Sequence, residues 1–243
     1  MHFGIIAAGK GSRLKAEGYD CPKPLVPIGG TPMIGRLSDI FLRSGAESIS
    51  IVAGASTPEV KDYMEQHCRD YPVAVNIRSA DTPSSMHSLY EMTLLMKSGE
   101  PFIATTVDSV FLEKDFGAFV KAFGELDPEF DGLMAVTDFI DDEKPLYVSV
   151  DPKGIITGFH DEAKGGERYV SGGIYALGKK AADALRESMK EGVAGMRDFQ
   201  RALIAKGLRL RAYPMGKIVD VDHAADVMTA NRLVENERWQ TLG

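Results

Sequence analysis

The start of the chain constrains its fold most. Phe3 to Ala8 is an apolar run that passes directly into Gly9-Lys10-Gly11-Ser12-Arg13-Leu14. A short apolar run closed by glycine reads as a buried strand, and the small residues after it let backbone N–H groups approach a ligand. A strand buried on both faces needs covering layers, and the next residues supply them. Pro32 to Ser44 carries Met33, Leu37, Ile40 and Phe41 at helical spacing, with Gly45 as a stop. Ser48 to Ala53 is the next strand and Pro58 to Cys68 the next helix. Val73 to Ile77, Ser84 to Met96 and Phe102 to Val107 continue the alternation. This pattern predicts an α/β fold with a mixed, mainly parallel sheet flanked by helices, Rossmann-like, with ligands at the carboxyl ends of the strands.

After Gly132 the texture changes. Leu133 to Thr137, Leu146 to Val150, Ile155 to Phe159 and Tyr169 to Leu177 read as strands without intervening helices, which predicts a partly antiparallel section. Helices return at Lys179 to Lys190 and Met196 to Lys206, followed by strands at Leu208 to Tyr213 and Ile218 to Val221. A last helix runs from Ala224 to about Arg238. With no repeat or linker-like tract, residues 1–243 are expected to form a single domain. Phe116, Phe119, Val120 and Phe123 follow helical spacing and are assigned to the core.

Charge narrows the partners. The 28 Lys and Arg against 35 Asp and Glu leave a net −7, which argues against nucleic acid or an anionic membrane as partner. Phosphate would have to be handled by a few local cations. The two cysteines, Cys21 and Cys68, have no metal or disulfide-scaffold spacing, and the five histidines suggest no zinc site. No apolar stretch approaches the roughly 18–20 residues of a membrane span, so a soluble, cytoplasmic protein is expected.

Among glycine-loop motifs, a dinucleotide fingerprint would need a third glycine where Leu14 stands, and a P-loop would need Ser or Thr after Lys10 rather than Gly11. Taken alone the loop could be a plain tight turn. Ten residues beyond Arg13, Pro22-Lys23-Pro24-Leu25 places a lysine between prolines, which predicts an extended, non-helical backbone there. Arg13 and Lys23 thus bring two cations to a phosphate-sized loop. Asp108 ends a parallel strand, where it is either a turn residue or a ligand for Mg²⁺, which selects hard oxygen donors. In Ile218-Val219-Asp220-Val221-Asp222-His223, alternation puts Asp220 and Asp222 on one side, within reach of one ion; Asp222 has the alternative of capping the final helix.

The strings AAGKGSRL and PKPLVPIGGTPMI resemble the opening of the nucleotidyltransferases with a MobA-like NTP transferase fold. That family includes sugar-1-phosphate nucleotidylyltransferases, phosphocholine cytidylyltransferases and molybdenum-cofactor guanylyltransferases. The resemblance runs along most of the chain and is most specific at this opening. It implies the nucleotide-diphospho-sugar transferase fold, with an NTP-binding half at 1–131 and an acceptor-binding half at 132–243. It implies that Ala8, Gly9, Gly11 and Ser12 hold the NTP phosphates while Arg13 and Lys23 offset charge on the α-phosphate and pyrophosphate. It further implies Mg²⁺ on Asp108 with Asp220, Asp222 or both. Val107 stands where the family usually has glycine before the metal aspartate.

Ser84, Ser85 and Ser88 correspond to the region that meets base and ribose. Gly173, in Val170-Ser171-Gly172-Gly173-Ile174-Tyr175, corresponds to an acceptor-side strand where glycine makes room for substrate, or else marks a bulge. Lys164 resembles the lysine of a Glu-Lys pair that touches the acceptor phosphate, here spaced by Ala163. The expected partners are an NTP and a phosphorylated small-molecule acceptor, a sugar 1-phosphate or a phosphocholine-like compound, joined with release of pyrophosphate. A non-catalytic nucleotide sensor on the same fold is the rival reading.

Overall fold

The computed structural model describes residues 1–9, 11–97, 99–141 and 143–241, the side chains of 237–241 excepted. Lys10, within the glycine loop, lies outside the described residues. The chain begins with β1 (His2–Ala7), α1 (Ser12–Ala16) and a 3-10 turn at Lys23–Leu25, then a small hairpin of β2 (Pro27–Ile28) and β3 (Thr31–Pro32). Next come α2 (Met33–Arg43), β4 (Ser48–Ala53), α3 (Pro58–His67), β5 (Ala74–Ser79), α4 (Ser85–Thr93), β6 (Phe102–Thr106), β7 (Ser109–Val110) and α5 (Glu113–Gly124). The rest is β8 (Gly132–Thr137), β9 (Tyr147–Val150), β10 (Ile156–His160), β11 (Tyr169–Leu177), α6 (Lys179–Lys190), α7 (Met196–Ala205), β12 (Leu210–Pro214), β13 (Val219–Asp220) and α8 (Ala224–Thr241).

β1 sits between β4 and β6 and is parallel to both, with Ile5 opposite Ile51 and Thr105; β5 continues the parallel set beyond β4. Every residue of β1 is buried, and the two-residue alternation of a strand divides them between separate cores. Phe3, Ile5 and Ala7 face a core closed by α2, α3 and α5, whereas Ile6 faces one closed by α4, α6 and α7. In the first core Phe3, Phe41, Phe116 and Phe111 form a ring stack with centroids 4.9–5.8 Å apart. Aromatic packing of this kind adds to simple area burial.

The antiparallel section centres on β11. One edge of β11 pairs with β8. The other pairs first with β9, through Tyr169 and Val170, and then with β6, through Ile174 to Leu177. The residues between, Ser171 to Gly173, are where the register against β8 shifts, as a bulge requires. β12 returns parallel to β8. The architecture is therefore the expected α/β fold with a mainly parallel mixed sheet, helices on both faces and a partly antiparallel section.

One local expectation fails. Lys23 does not lie in an extended segment; it opens the 3-10 turn, in which Leu25 N–H donates to Pro22 O at 2.8 Å and Val26 N–H to Lys23 O at 3.1 Å. Pro22 supplies the extended residue before it, with φ −54° and ψ 143°. Pro24 falls in the first turn, where its missing N–H costs nothing because no helical partner exists there.

Candidate active site

The glycine loop ends β1 and turns into α1. Gly11 has φ +57°, and a Cβ there would lie 2.5 Å from Lys23 Cβ. Only glycine lets the loop lie this close to the Lys23 turn. Loop and turn together wall a cavity of about 440 Å³, lined by Ala8, Gly9, Gly11, Ser12, Arg13 and Lys23 on one side and Ser84, Ser85 and Ser88 on the other. Ser84 and Ser85 start α4, so unpaired helix N–H groups point at this space. Ser88 is buried and shares a 2.6 Å hydrogen bond with Thr82.

Lys23 and three aspartates form the charged centre. Lys23 is 8% exposed, and its Nζ donates to Asp108 Oδ2 and to Asp222 Oδ1, each at 2.6 Å. Arg13 Nη1 donates to Asp222 Oδ2 at 2.5 Å. Burial works against the Lys23 ammonium, but the charges of Asp108, Asp220 and Asp222 outweigh it and hold the amine above its usual range. For Asp108 burial likewise opposes ionisation and is outweighed by Lys23, which keeps the carboxyl below its usual value.

The backbone explains why these acids meet. Asp108 separates β6 from β7, and β7 pairs antiparallel with β13, placing Asp220 opposite Ser109. Val221 N–H then donates to Asp108 O at 3.0 Å, which brings Asp222 alongside. One carboxylate oxygen from each of Asp108, Asp220 and Asp222 lies within 4.8 Å of the others. Three hard oxygen donors so grouped fit a divalent cation such as Mg²⁺.

The capping alternative for Asp222 does not hold. Asp226 accepts the N–H groups of Asp222 and His223 at 3.0 and 2.7 Å, and Glu17 accepts that of Ala224 at 2.6 Å. The start of α8 is thus capped by other carboxylates. Glu17 also bonds His223 Nδ1 at 2.6 Å, tying the segment after α1 to α8. That hydrogen bond raises the His223 pKa and lowers that of Glu17. Val107, in the place of the family's glycine, is 6% exposed and packs into the core beside the site.

A second cavity, of about 340 Å³, lies on the β11 side. It shares Ser85, Thr106 and Asp108 with the first. Gly172 and Gly173 line it at the β11 bulge. Gly173 has φ +72°, and a Cβ there would come 2.3 Å from Ser109 Oγ and 2.7 Å from Thr106 Oγ1, so the bulge needs glycine at this position. Tyr175 lines the floor, its hydroxyl held protonated by burial and by the charges of Asp108 and Asp220.

Lys164 lines neither cavity; it is exposed, and its N–H donates to Glu167 at 3.0 Å. The cation in the second cavity is Arg197, on α7, whose guanidinium bonds Asp161 at 2.8 Å and the Lys144 carbonyl. Arg197 and Gln200 escaped the sequence reading. Their helix was legible, but nothing in its pattern says which polar residues face a cavity assembled from β8, β11 and β13.

Among the described residues no helix is long and apolar enough to cross a membrane. Similar proteins have related activities. The 2-aminoethylphosphonate cytidylyltransferase of Lancefieldella rimae is 32% identical over 101 residues, 41% of this chain and only 39% of that protein. The glucose-1-phosphate cytidylyltransferase of Salmonella typhimurium is 24% identical over 209 residues, covering 74% of this chain and 76% of the relative. The inositol-1-phosphate CTP transferase of T. maritima has the same fold, with a TM-score of 0.78 at 18% identity over 96% of each chain. A family model matches residues 4–203, a span that takes in the glycine loop, Lys23 and Asp108, and the chain belongs to the MobA-like NTP transferase domain family.

Proposed function

We infer that this protein transfers the nucleoside monophosphate part of an NTP to a phosphorylated small-molecule acceptor, releasing pyrophosphate. The observation that carries this is the meeting of two cavities at Asp108, Thr106 and Ser85, with Lys23 of the first cavity bonded to the shared Asp108. A sensor of nucleotide would need only the first cavity. The relatives named for cytidylyl transfer to a sugar phosphate and to a phosphonate support the same reading.

In the reaction an acceptor phosphate oxygen attacks the α-phosphorus from the second cavity. The new P–O bond forms as the bond to pyrophosphate breaks, and pyrophosphate leaves with the electron pair. The acceptor oxygen is already ionised, so no side chain need take a proton. What opposes the step is repulsion between anions and loss of alignment, so positioning and charge stabilisation dominate. The backbone of Ala8, Gly9, Gly11 and Ser12 cradles the phosphates, and Lys23 and Arg13 offset the charge gathering on the α-phosphate and the leaving group. Ser84, Ser85 and Ser88 meet the nucleoside, and Gly173 leaves room for the acceptor. Asp108, Asp220 and Asp222 would hold Mg²⁺, which when bound supplies further neutralisation of phosphate charge. Arg197, which lines the second cavity where Lys164 does not, meets the acceptor phosphate.

The test is pyrophosphate release with Mg²⁺, each NTP in turn, and a panel of sugar 1-phosphates, phosphocholine and 2-aminoethylphosphonate. Release should depend on one NTP and on an acceptor, and should be lost in Lys23→Ala. Equal release by Lys23→Ala, or nucleotide binding without any release, would contradict the assignment.

A further inference from the structure

The acceptor cavity contains one polar side chain that is almost wholly buried yet not fully used. Gln200, on α7, is 2% exposed and lines the cavity. Its Oε1 accepts a hydrogen bond from Ser171 Oγ at 3.1 Å. With Oε1 taken by the Ser171 hydroxyl, the Gln200 amide has its two N–H donors left over. The amide nitrogen takes no partner among the described residues and is not among the sealed, unsatisfied atoms, so it faces the cavity.

A buried amide with unpaired donors is costly unless a ligand completes it. What completes it must be a hydrogen-bond acceptor. A hydroxyl oxygen has lone pairs for this purpose; an ammonium or quaternary ammonium has none. Of the carboxylates that line the cavity, Asp108 is bonded by Lys23 and is grouped with Asp220 and Asp222 in the cluster that fits a metal ion. The Phe139 ring, the aromatic group at the outer end, already carries Lys217 Nζ 3.7 Å from its centroid. Asp226 is engaged by the N–H groups of Asp222 and His223, and Asp141 is exposed at the mouth.

We propose that Gln200, set by Ser171, is a specificity-determining residue of the acceptor site, donating to a hydroxyl oxygen on the acceptor and so favouring hydroxyl-bearing phosphates over aminoalkyl ones. This rests on the nucleotidyl-transfer reading. Pyrophosphate release is measured for wild type, Gln200→Met and Ser171→Ala, with glucose 1-phosphate and inositol 1-phosphate against phosphocholine and 2-aminoethylphosphonate. Wild type should prefer the hydroxyl-bearing pair.

Gln200→Met keeps the volume but not the donor. It should raise KM for the preferred acceptor by about 10- to 100-fold, the scale of losing one hydrogen bond that a buried site is built to make. KM for the NTP should stay unchanged. Ser171→Ala, which frees the amide to turn, should act in the same direction by a smaller factor and carries the test if Gln200→Met fails to fold by circular dichroism. Preference of wild type for the aminoalkyl pair, or an unchanged acceptor KM in the folded variants, overturns the proposal while nucleotidyl transfer stands. No release with any acceptor removes both.

Discussion

At the scale of single residues, Lys23 has two opposed effects that can be measured separately. It bridges Asp108 and Asp222 and stands as a resident cation among the carboxylates that fit a metal. Lys23→Met should therefore bind Mg²⁺ more tightly without nucleotide, by roughly tenfold or more, since one positive charge within about 4 Å is gone; isothermal titration reads this directly. The same change should lower turnover about 10²- to 10³-fold, as for loss of one preorganised donor. Weaker metal binding together with reduced turnover would mean that Lys23 supports the carboxylates rather than competing for them.

His2 makes a second residue-level prediction. Its ring lies between Ser48 and Ser50 on β4, with Nε2 3.0 Å from Ser50 Oγ, and burial lowers its pKa from 6.5 to about 4. The folded state thus binds fewer protons than the unfolded state between these values. The His2 contribution is complete above pH 6.5 and falls as pH drops toward 4. Urea midpoints measured across this range should decline less in His2→Gln than in wild type; identical slopes would contradict the assignment.

At the scale of elements, the short pairing of β7 with β13 and the bulge in β11 position the site, and both tolerate little change. Gly173→Ala forces a Cβ at φ +72° within 2.3 Å of Ser109 Oγ. It should cost about 1–3 kcal/mol of stability in urea melts, the range for strained backbone, and should also raise acceptor KM. The Phe stack is a purely structural contrast. Phe116 is fully buried among Phe3, Phe41 and Phe111, and Phe116→Ala should lose about 3–5 kcal/mol in the same melts while leaving KM values of the folded fraction alone.

Most of this element plan was legible in the sequence, because β1, β4 and β6 are apolar runs and α2 and α5 have strong helical periodicity. What escaped depends on contacts remote along the chain. The two-residue strand β7 is too short for a pattern and exists only through its pairing with β13, itself legible within Ile218 to Val221. The Lys23 turn was misread because prolines on either side suggest extension, whereas a 3-10 turn accommodates proline in its first positions.

At the scale of the whole molecule, the glycine loop, Lys23 and the aspartates were found from sequence because each follows a strand or a proline-marked segment near the carboxyl edge of the sheet. The acceptor side was only half legible. Gly173 stood out as a glycine in a strand, but Arg197 and Gln200 reach the cavity through α7, and no local signal distinguishes them from solvent-facing helix residues.

We propose that the two cavities bring an NTP and an acceptor phosphate together at Asp108. Phosphorus NMR of a reaction containing Mg²⁺, the preferred NTP and the preferred acceptor tests it most directly. The prediction is a new phosphoanhydride linking the α-phosphorus to the acceptor, formed in step with free pyrophosphate and absent with Asp108→Asn. Pyrophosphate that appears at the same rate without acceptor, with free nucleoside monophosphate as the other product, would contradict it.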